Sequence, residues 1–236
     1  MKILTRVLDL LYPPQCPYCQ NILDNLRDPV CRSCVEKLPW LRGEQSQCKI
    51  EFAEGCVSPL RYEGMVREAI LRYKFPGLAA YGKPMGVLMA RCIRNHPEIQ
   101  PNLITWTPLS HEHYRERGFD QAELLARSLG RELELPVEGT LVKIRNTARQ
   151  SALTEKAQRK ANAKGAYRVK ENISLKGKYI LLVDDVVTTK STLEECARML
   201  CVAGAEKIWC VTLAQAGKKM EKTVENSLNS RYNGMR

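Results

Sequence analysis

The sequence lacks any apolar run that approaches the roughly 20 uncharged residues needed to cross a membrane. It also lacks a secretion signal, because Arg6 and Asp9 interrupt the N-terminal stretch MKILTRVLDLLYPPQC and no small-residue cleavage site follows. Internal repeats and low-complexity segments are absent as well. We therefore expect a cytoplasmic protein without a membrane span, whose N-terminus is a short amphipathic helix packed on the body of the protein.

The chain is rich in cysteine for a protein without a secretion signal. Ten cysteines in such a chain argue against a disulfide framework and favour reduced thiols or metal ligands. Four of them lie among apolar residues and are predicted to be small core residues, namely Cys92, Cys196, Cys201 and Cys210. The 236 residues are 44% hydrophobic, which is enough for one α/β domain and a small additional module.

Two C-x2-C pairs, CPYC and CRSC, stand near the N-terminus with eleven residues between them. They supply the four thiolates of a tetrahedral zinc site: Cys16, Cys19, Cys31 and Cys34. CPYC also resembles a glutaredoxin active site, but that interpretation needs a strand before it and a helix after it, and neither is predicted here. A structural zinc is therefore favoured, and it would explain how so small a segment folds. Cys48 and Cys56 do not repeat the spacing and are assigned no role.

The stretch ILLVDDVVTTKST, residues 180–192, combines an apolar run, two acids and several hydroxyl side chains. The run 180–183 predicts a central strand covered on both faces. We expect Asp184 and Asp185 to end this strand. Ser191 and Thr192 each precede a glutamate by three residues, which is the spacing of a capping box at a helix start. The helix that follows is predicted to stop at Gly204.

This strand, turn and helix can hold a sugar phosphate. A helix N-terminus beyond the carboxyl end of a parallel strand binds anions. Four hydroxyls would add donors to the same phosphate: those of Thr188, Thr189, Ser191 and Thr192. Asp184 and Asp185 would instead accept hydrogen bonds from ribose hydroxyls, directly or through magnesium. The alternative is an acidic strand end followed by an ordinary helix cap.

The middle of the chain alternates between strand and helix patterns. A strand is predicted around 57–62, then a helix with Val66, Ile70, Leu71 and Phe75 on its apolar face. A second strand covers 103–107, and a basic loop leads to a helix from about Asp120. This alternation predicts a parallel sheet with covering helices. Arg115 and Arg117, with Gly118, suit a pyrophosphate because arginine binds phosphate oxygens in bidentate fashion, whereas His111 and His113 lack the spacing of a metal site.

The net charge of +11 is concentrated in one segment. Residues 143–170 contain nine basic residues and one acid, Glu155, so +8 of the charge lies there. Such a block indicates an anionic ligand or nucleic acid. A solvated basic loop without a function is the alternative.

With these observations in place, residues 180–192 resemble the phosphoribosyl pyrophosphate (PRPP) signature of type I phosphoribosyltransferases. Lys190 stands where that family has glycine. Either the loop needs the left-handed backbone that glycine allows, or the backbone is ordinary and the Lys190 ammonium attracts the bound phosphates. We favour the first interpretation.

The chain from about Pro13 to Ala214 resembles the ComF family of competence-associated phosphoribosyltransferase-like proteins. The resemblance rests on the four-cysteine module, YEGMVREAILRYKF, PLSHEHYRERGFDQAELLA, RNTARQSALTEKAQRKANAKGAY and the 180–192 motif, in that order. Asp120 replaces an asparagine that is usual in the family.

The resemblance implies an α/β fold, with a type I phosphoribosyltransferase-like parallel sheet flanked by helices and a small N-terminal zinc-binding module. We expect that module in residues 1–56, the main domain in 57–215 and a polar, mobile tail in 216–236. PRPP with Mg²⁺ would be bound by Asp184, Asp185, Thr188, Thr189, Lys190, Ser191, Thr192, Arg115 and Arg117. A mobile basic cover would contact PRPP or DNA through Arg149, Arg159, Lys160 and Asn162.

Two functions are compatible with these features. The first is a PRPP-binding phosphoribosyltransferase-like protein in DNA uptake, natural transformation or the use of external DNA. A catalytic form would displace pyrophosphate from C1 of PRPP, with Asp184 and Asp185 as the central residues. The second is a non-catalytic module of the same fold that binds single-stranded DNA or docks DNA-uptake or DNA-processing proteins.

Overall fold

The computed structural model describes residues 13–23, 25, 28–145 and 163–217. The predicted N-terminal helix and all but the first two residues of the tail lie outside these ranges. So do four predicted site residues, Arg149, Arg159, Lys160 and Asn162.

The described chain alternates between helices and strands. The α-helices are α1 (Arg32–Lys37), α2 (Gly64–Tyr73), α3 (Gly82–Arg94), α4 (His111–Arg117), α5 (Gln121–Leu133) and α6 (Ser191–Val202). Short 3-10 turns cover Gly43–Ser46 and Ala79–Tyr81. The strands are β1 (Gln47–Cys48), β2 (Gly55–Val57), β3 (Leu60–Arg61), β4 (Leu103–Trp106), β5 (Leu141–Lys143), β6 (Tyr167–Val169), β7 (Tyr179–Val187) and β8 (Lys207–Gln215). None of these helices combines the length and the apolar character needed to span a bilayer.

The main sheet has the strand order β1-β2-β8-β7-β4, and β3 also pairs with β8. All its pairings are parallel except β1 with β2. Strands β5 and β6 form a separate antiparallel pair. The predicted parallel sheet is therefore confirmed. The predicted strand around 57–62 is instead split into β2 and β3 at Pro59, because proline has no N–H to donate to a ladder.

The central strand β7 is longer than the sequence indicated. Its pairing with β8 continues through Asp184↔Thr212 and Val186↔Ala214. The prediction that the acids end this strand is wrong, because β8 extends alongside them and offers ladder partners as far as Gln215. Both acids therefore sit on a rigid strand rather than in a turn.

Helix α6 begins differently from the predicted capping box. Its N-cap is Lys190, whose side chain makes no capping bond, and Ser191 already lies inside the helix. The Glu194 N–H donates to the Lys190 carbonyl at 2.9 Å. The Lys190 carbonyl thus accepts the first intrahelical bond, as the carbonyl of an N-cap residue does, and its side chain caps no N–H group of the first turn. Gly204, with φ of +91°, follows the helix end as expected.

The core lies on both faces of the sheet because alternate residues of β7 point in opposite directions. Leu181 joins the cluster formed with α2, α3 and α5, and this cluster also contains apolar residues of the cysteine module. Leu182 joins the second cluster, under α6 and the β5–β6 pair. The central strand is thus covered on both sides, as its unbroken apolar run predicted.

Some apolar side chains are not where the sequence predicted them. Helix α2 buries Val66, Ala69, Ile70 and Tyr73. Leu71 and Phe75 are instead 39% and 63% exposed, so their assignment to the apolar face is wrong. The apolar positions of α2 follow the spacing i, i+3, i+4 and i+7, which places Leu71 off the buried stripe, and Phe75 lies beyond the end of the helix at Tyr73. Among the predicted core cysteines, Cys92, Cys196 and Cys210 are buried, whereas Cys201 is exposed.

Candidate functional site

A cleft of about 430 Å³ opens beyond the carboxyl ends of β4 and β7. Acids, cations and hydroxyls from separate parts of the chain meet there. They are Lys74, Thr107, His113, Arg117, Asp120, Lys143, Tyr167, Asp184, Asp185, Thr188 and Thr192. This is the edge of a parallel sheet at which ligands bind.

Asp185 forms an ion pair with Lys74, with 2.7 Å between Oδ2 and Nζ. Burial by itself raises the pKa of the Asp185 carboxyl, but the Lys74 ammonium, with a further contribution from Arg117, holds that pKa below its usual range. Burial likewise lowers the pKa of Lys74, and Asp185 more than offsets this and raises it. Both partners are therefore charged at neutral pH.

The Asp184 carboxyl differs from that of Asp185, because its pKa is raised rather than lowered. Burial and the neighbouring Asp185 charge raise the pKa of Asp184 to about 8. The Asp185 N–H donates to Asp184 Oδ1 at 2.8 Å, which opposes this effect without cancelling it. The site therefore favours a further cation or hydroxyl donor beside Asp184.

The hydroxyl-rich turn from the end of β7 to the first residues of α6 consists of Thr188, Thr189, Lys190, Ser191 and Thr192, and two of its hydroxyl residues reach the cleft. Thr188 and Thr192 line the cleft beside the acids. Thr189, Lys190 and Ser191 do not line it. Ser191 is buried at the start of α6, and its Oγ donates to Thr189 Oγ1 at 3.4 Å. The structure thus brings the acids, two hydroxyls and the N-terminus of α6 to the same cavity.

Lys190 adopts the left-handed conformation, with φ of +69° and ψ of −16°. Its side chain leaves the turn, and Nζ donates to the Lys49 carbonyl at 2.8 Å. An ordinary backbone, which was one of the two expectations at this position, is therefore contradicted. The position has the conformation that glycine adopts most readily.

Arg115 and Arg117, which were predicted to bind the same pyrophosphate, lie on different surfaces of the protein. Arg117 lines the cleft, and its Nη1 donates to Gln121 Oε1 at 2.7 Å. Arg115 is exposed on a different surface, beside His111, Glu112 and Glu116, and is not brought to the acids. The predicted loop is helix α4, in which residues two apart do not share a face.

The sequence predictions missed Lys74 and gave Asp120 no role in the site. Lys74 lies within the LRYKF block that carries the family resemblance, which was the available signal. Asp120 caps α5, because its Oδ1 accepts from the N–H groups of Ala122 and Glu123 at 3.0 and 3.2 Å. Its Oδ2 accepts from the Leu109 N–H at 2.8 Å, and burial raises its pKa to about 6.

Two further residues were missed on the small β5–β6 sheet. Lys143 Nζ lies 5.6 Å from the ring centroid of Tyr167, and both side chains line the cleft. Burial lowers the pKa of Lys143. Strands β5 and β6 lie at the two ends of the basic segment 143–170, so both ends of that segment contribute a residue to the cleft that contains the acids.

The four predicted metal ligands form a compact cluster. Their Sγ atoms all lie within 4.8 Å of one another, and those of Cys19 and Cys31 are 3.5 Å apart. A tetrahedral zinc with bonds of about 2.3 Å needs sulfur atoms about 3.8 Å apart, so the cluster fits one zinc. CPYC forms a turn with no helix directly after it, which removes the context that a glutaredoxin site requires. Within the described ranges no other cluster of this kind occurs.

Two protein families match the chain. The double zinc ribbon domain matches residues 7–61. The phosphoribosyl transferase domain matches residues 116–230. Among solved structures, a glutamine PRPP amidotransferase from B. subtilis aligns with 57% of this chain and 26% of that chain at 18% identity and a TM-score of 0.38. The chain therefore combines a phosphoribosyltransferase-type domain with an N-terminal zinc ribbon.

Relatives identify the family more closely. Competence protein F of Haemophilus influenzae is 30% identical over 216 residues, which cover 85% of this chain and 90% of that protein. Competence protein ComFC of Streptococcus pneumoniae is 24% identical, with 85% and 87% covered. DNA utilization protein YhgH of Salmonella typhi is 39% identical over 129 residues, which cover 53% and 54%. The chain belongs to the ComF family.

Proposed function

We propose that this protein binds PRPP with Mg²⁺ in the cleft and acts in DNA uptake or in the use of external DNA. The observation that carries the proposal is the meeting of three groups in one cavity. These are the acid pair on β7, the hydroxyl turn at the start of α6 and the cations Lys74 and Arg117. Each group matches one part of PRPP: the ribose hydroxyls, the 5-phosphate and the pyrophosphate.

The residues have separate roles in this proposal. Asp184 and Asp185 accept hydrogen bonds from the ribose hydroxyls. Thr188 and Thr192 donate to the 5-phosphate, together with the N–H groups at the start of α6. Arg117 faces the pyrophosphate, for which its planar guanidinium is suited.

The acids also fit a magnesium ion, which prefers carboxylate oxygens. Lys74 pairs with Asp185, whereas Asp184 has no ion pair among the described residues, and burial together with the Asp185 charge raises its pKa. Asp184 is therefore the residue that would gain most from the ion. Magnesium, when bound, would supply positive charge for the leaving pyrophosphate.

The reaction that this site can support is a substitution at C1 of PRPP. The bond between C1 and the pyrophosphate oxygen breaks with both electrons leaving on the pyrophosphate, and a nucleophile forms the new bond to C1. The side chains would hold the ribose and stabilise the leaving group rather than transfer protons. Arg117 and Lys74 are placed for the second task.

The biological role rests on the relatives. They bear the names competence protein F and DNA utilization protein, and the first of them aligns over most of its length. We propose the same setting for this chain, in the cytoplasm, with DNA-uptake or DNA-processing proteins as partners. We also propose the domain division 1–56, 57–215 and 216–236.

A second candidate is a non-catalytic module that binds single-stranded DNA or serves as an adaptor. The charge of residues 143–170 favours it, because +8 of the net charge lies there. In the described parts of that segment, four cationic residues are exposed: Arg145, Lys164, Arg168 and Lys170. Arg149, Arg159, Lys160 and Asn162 remain proposed contacts.

Paired titrations test the proposal. PRPP in magnesium and a single-stranded oligonucleotide are titrated into the wild type and into the Asp184→Asn, Asp185→Asn double variant. We expect the double variant to lose PRPP binding and to keep oligonucleotide binding. Equal PRPP affinity in both proteins would remove the acid pair from the site and contradict the proposal.

A further inference from the structure

Three consecutive residues at the end of α2 contact three different parts of the protein. Arg72 reaches the cysteine module, where its Nη2 donates to the Pro17 and Tyr18 carbonyls at 3.0 and 2.9 Å. Tyr73 donates from its hydroxyl to the Gln121 carbonyl at 3.1 Å. Lys74 forms the ion pair with Asp185 at 2.7 Å. The end of α2 therefore links the four-cysteine centre to the acid pair.

The Arg72 contacts lie inside the metal-binding turn itself. Pro17 and Tyr18 are the two residues between Cys16 and Cys19. The turn folds back between Cys16 and Cys19, so the carbonyls of Pro17 and Tyr18 both face Arg72 Nη2. A metal that holds the two thiolates together fixes this turn. The turn that carries two of the metal ligands is therefore also the turn that holds the Arg72 guanidinium.

Among the described residues, Arg72 has no comparable anchor elsewhere. Its Nε is buried and has no hydrogen-bond partner among the described residues. Its Nη1 lies 3.9 Å from the exposed Glu68 carboxylate, an arrangement that contributes little to stability. The two carbonyls of the turn are therefore what holds the guanidinium in place.

We propose that Arg72 is a positioning residue that makes the acid pair depend on occupation of the zinc ribbon. With zinc bound, the turn holds Arg72, the end of α2 is fixed, and Lys74 is held against Asp185. Without zinc the turn relaxes and Arg72 loses both carbonyl acceptors. Lys74, which lies two residues after Arg72 in the chain, is then no longer held against Asp185. The inference deepens the proposed function, because it gives the zinc ribbon a role in ligand binding as well as in folding.

The first test compares Arg72→Met and Arg72→Lys with Arg131→Met, a matched change at an exposed arginine in the last turn of α5. All three variants should retain the wild-type zinc content, because none alters a ligand. We expect PRPP affinity in magnesium to fall about tenfold in Arg72→Met, to recover in part in Arg72→Lys, and to stay within about twofold of the wild type in Arg131→Met.

A double-mutant cycle shows whether Arg72 acts through Lys74. If it does, Arg72→Met should add no further loss in a Lys74→Met background, since the contact that it positions is already gone. Removal of zinc with a chelator should likewise weaken PRPP binding in the wild type and leave Lys74→Met unchanged. Full additivity of the two substitutions would mean that Arg72 only stabilises the fold, and it would overturn the inference.

A third measurement does not depend on PRPP. Lysines are acetylated with an amine-reactive ester, and mass spectrometry measures the extent of acetylation at Lys74. The ion pair with Asp185 should slow this reaction at Lys74, and the exposed Lys176 serves as internal reference. Labelling of Lys74 should increase in Arg72→Met and after zinc removal. If the wild type does not bind PRPP but labelling follows zinc, the proposed function fails and the coupling stands. If labelling of Lys74 is the same in all these states, the coupling is wrong.

Discussion

Lys74 Nζ and Asp185 Oδ2 lie 2.7 Å apart, and the two side chains are 30% and 14% exposed. The pair joins the end of α2 to the central strand β7. It neutralises Asp185, whereas Asp184 forms no ion pair among the described residues. The two carboxylates, although neighbours in sequence, therefore differ in charge state, and Asp184 is the one that a ligand or ion would stabilise.

The raised pKa of Asp184 predicts a cost in stability. Because the folded-state pKa of about 8 lies above the unfolded value, the folded protein binds the proton more tightly. Stability therefore falls as the pH rises from the unfolded pKa towards 8. Asp184→Asn removes this dependence and should raise the free energy of unfolding at pH 8 by about 1 kcal/mol, or about 2–4 °C in Tm for a chain of this size.

Thermal unfolding of Asp184→Asn and wild type at pH 5 and pH 8 checks this prediction, and Glu138→Gln at an exposed acid is the control. The gain in Tm should be larger at pH 8 than at pH 5. A gain that is equal at both values would show that Asp184 ionises normally.

At Lys190 we predict that substitution by glycine improves ligand binding. A non-glycine residue in the left-handed conformation costs about 1 kcal/mol, and a turn that closes around a phosphate must bear that cost and accommodate the lysine Cβ and stem as well. Lys190→Gly should tighten PRPP binding in magnesium by about fivefold, with little change in DNA binding. Asn172→Gly, at another left-handed residue with φ of +64°, is the control. Weaker PRPP binding by the glycine variant would instead make Lys190 a phosphate ligand.

Local patterns in the sequence were sufficient for part of this site. The acids on β7, Thr188 and Thr192 at the following turn and the paired cysteines were predictable because each group lies within a short stretch of chain. Lys74 was not, because its partner Asp185 is distant in sequence and the predicted apolar stripe of α2 included Leu71 and Phe75 on either side of it. Arg115 was wrongly grouped with Arg117 because the segment was predicted as a loop, and only its helical geometry separates the two side chains.

The zinc ribbon yields a prediction on metal content. The wild type should contain one zinc per chain, and the Cys16→Ser, Cys31→Ser double variant should contain none, because each of the two C-x2-C pairs loses a ligand. The Cys48→Ser, Cys56→Ser double variant is the matched control and should keep its zinc. Metal analysis of the purified proteins decides the matter, and equal zinc in all three would refute the assignment.

Binding of single-stranded DNA should depend on the basic segment. Replacing Arg149, Arg159 and Lys160 by glutamine should weaken binding and flatten the dependence of log affinity on log salt, since each lost phosphate contact changes the slope by about 0.7 for a single strand. The control replaces Arg91, Arg94 and Arg131 by glutamine, which removes the same charge from α3 and α5. If the control flattens the slope and the first variant does not, the DNA site lies elsewhere.

Calorimetric titration of the wild type with PRPP, in magnesium and in magnesium-free buffer, tests whether the cleft binds PRPP with the help of magnesium. Ribose 5-phosphate, which lacks the pyrophosphate, serves as the comparison ligand. Because magnesium would neutralise the pyrophosphate, which ribose 5-phosphate lacks, PRPP should bind at least about tenfold more tightly with magnesium, and ribose 5-phosphate should gain little from it. PRPP affinity that is the same with and without magnesium, or no binding at all, would contradict magnesium-dependent binding of PRPP in the cleft.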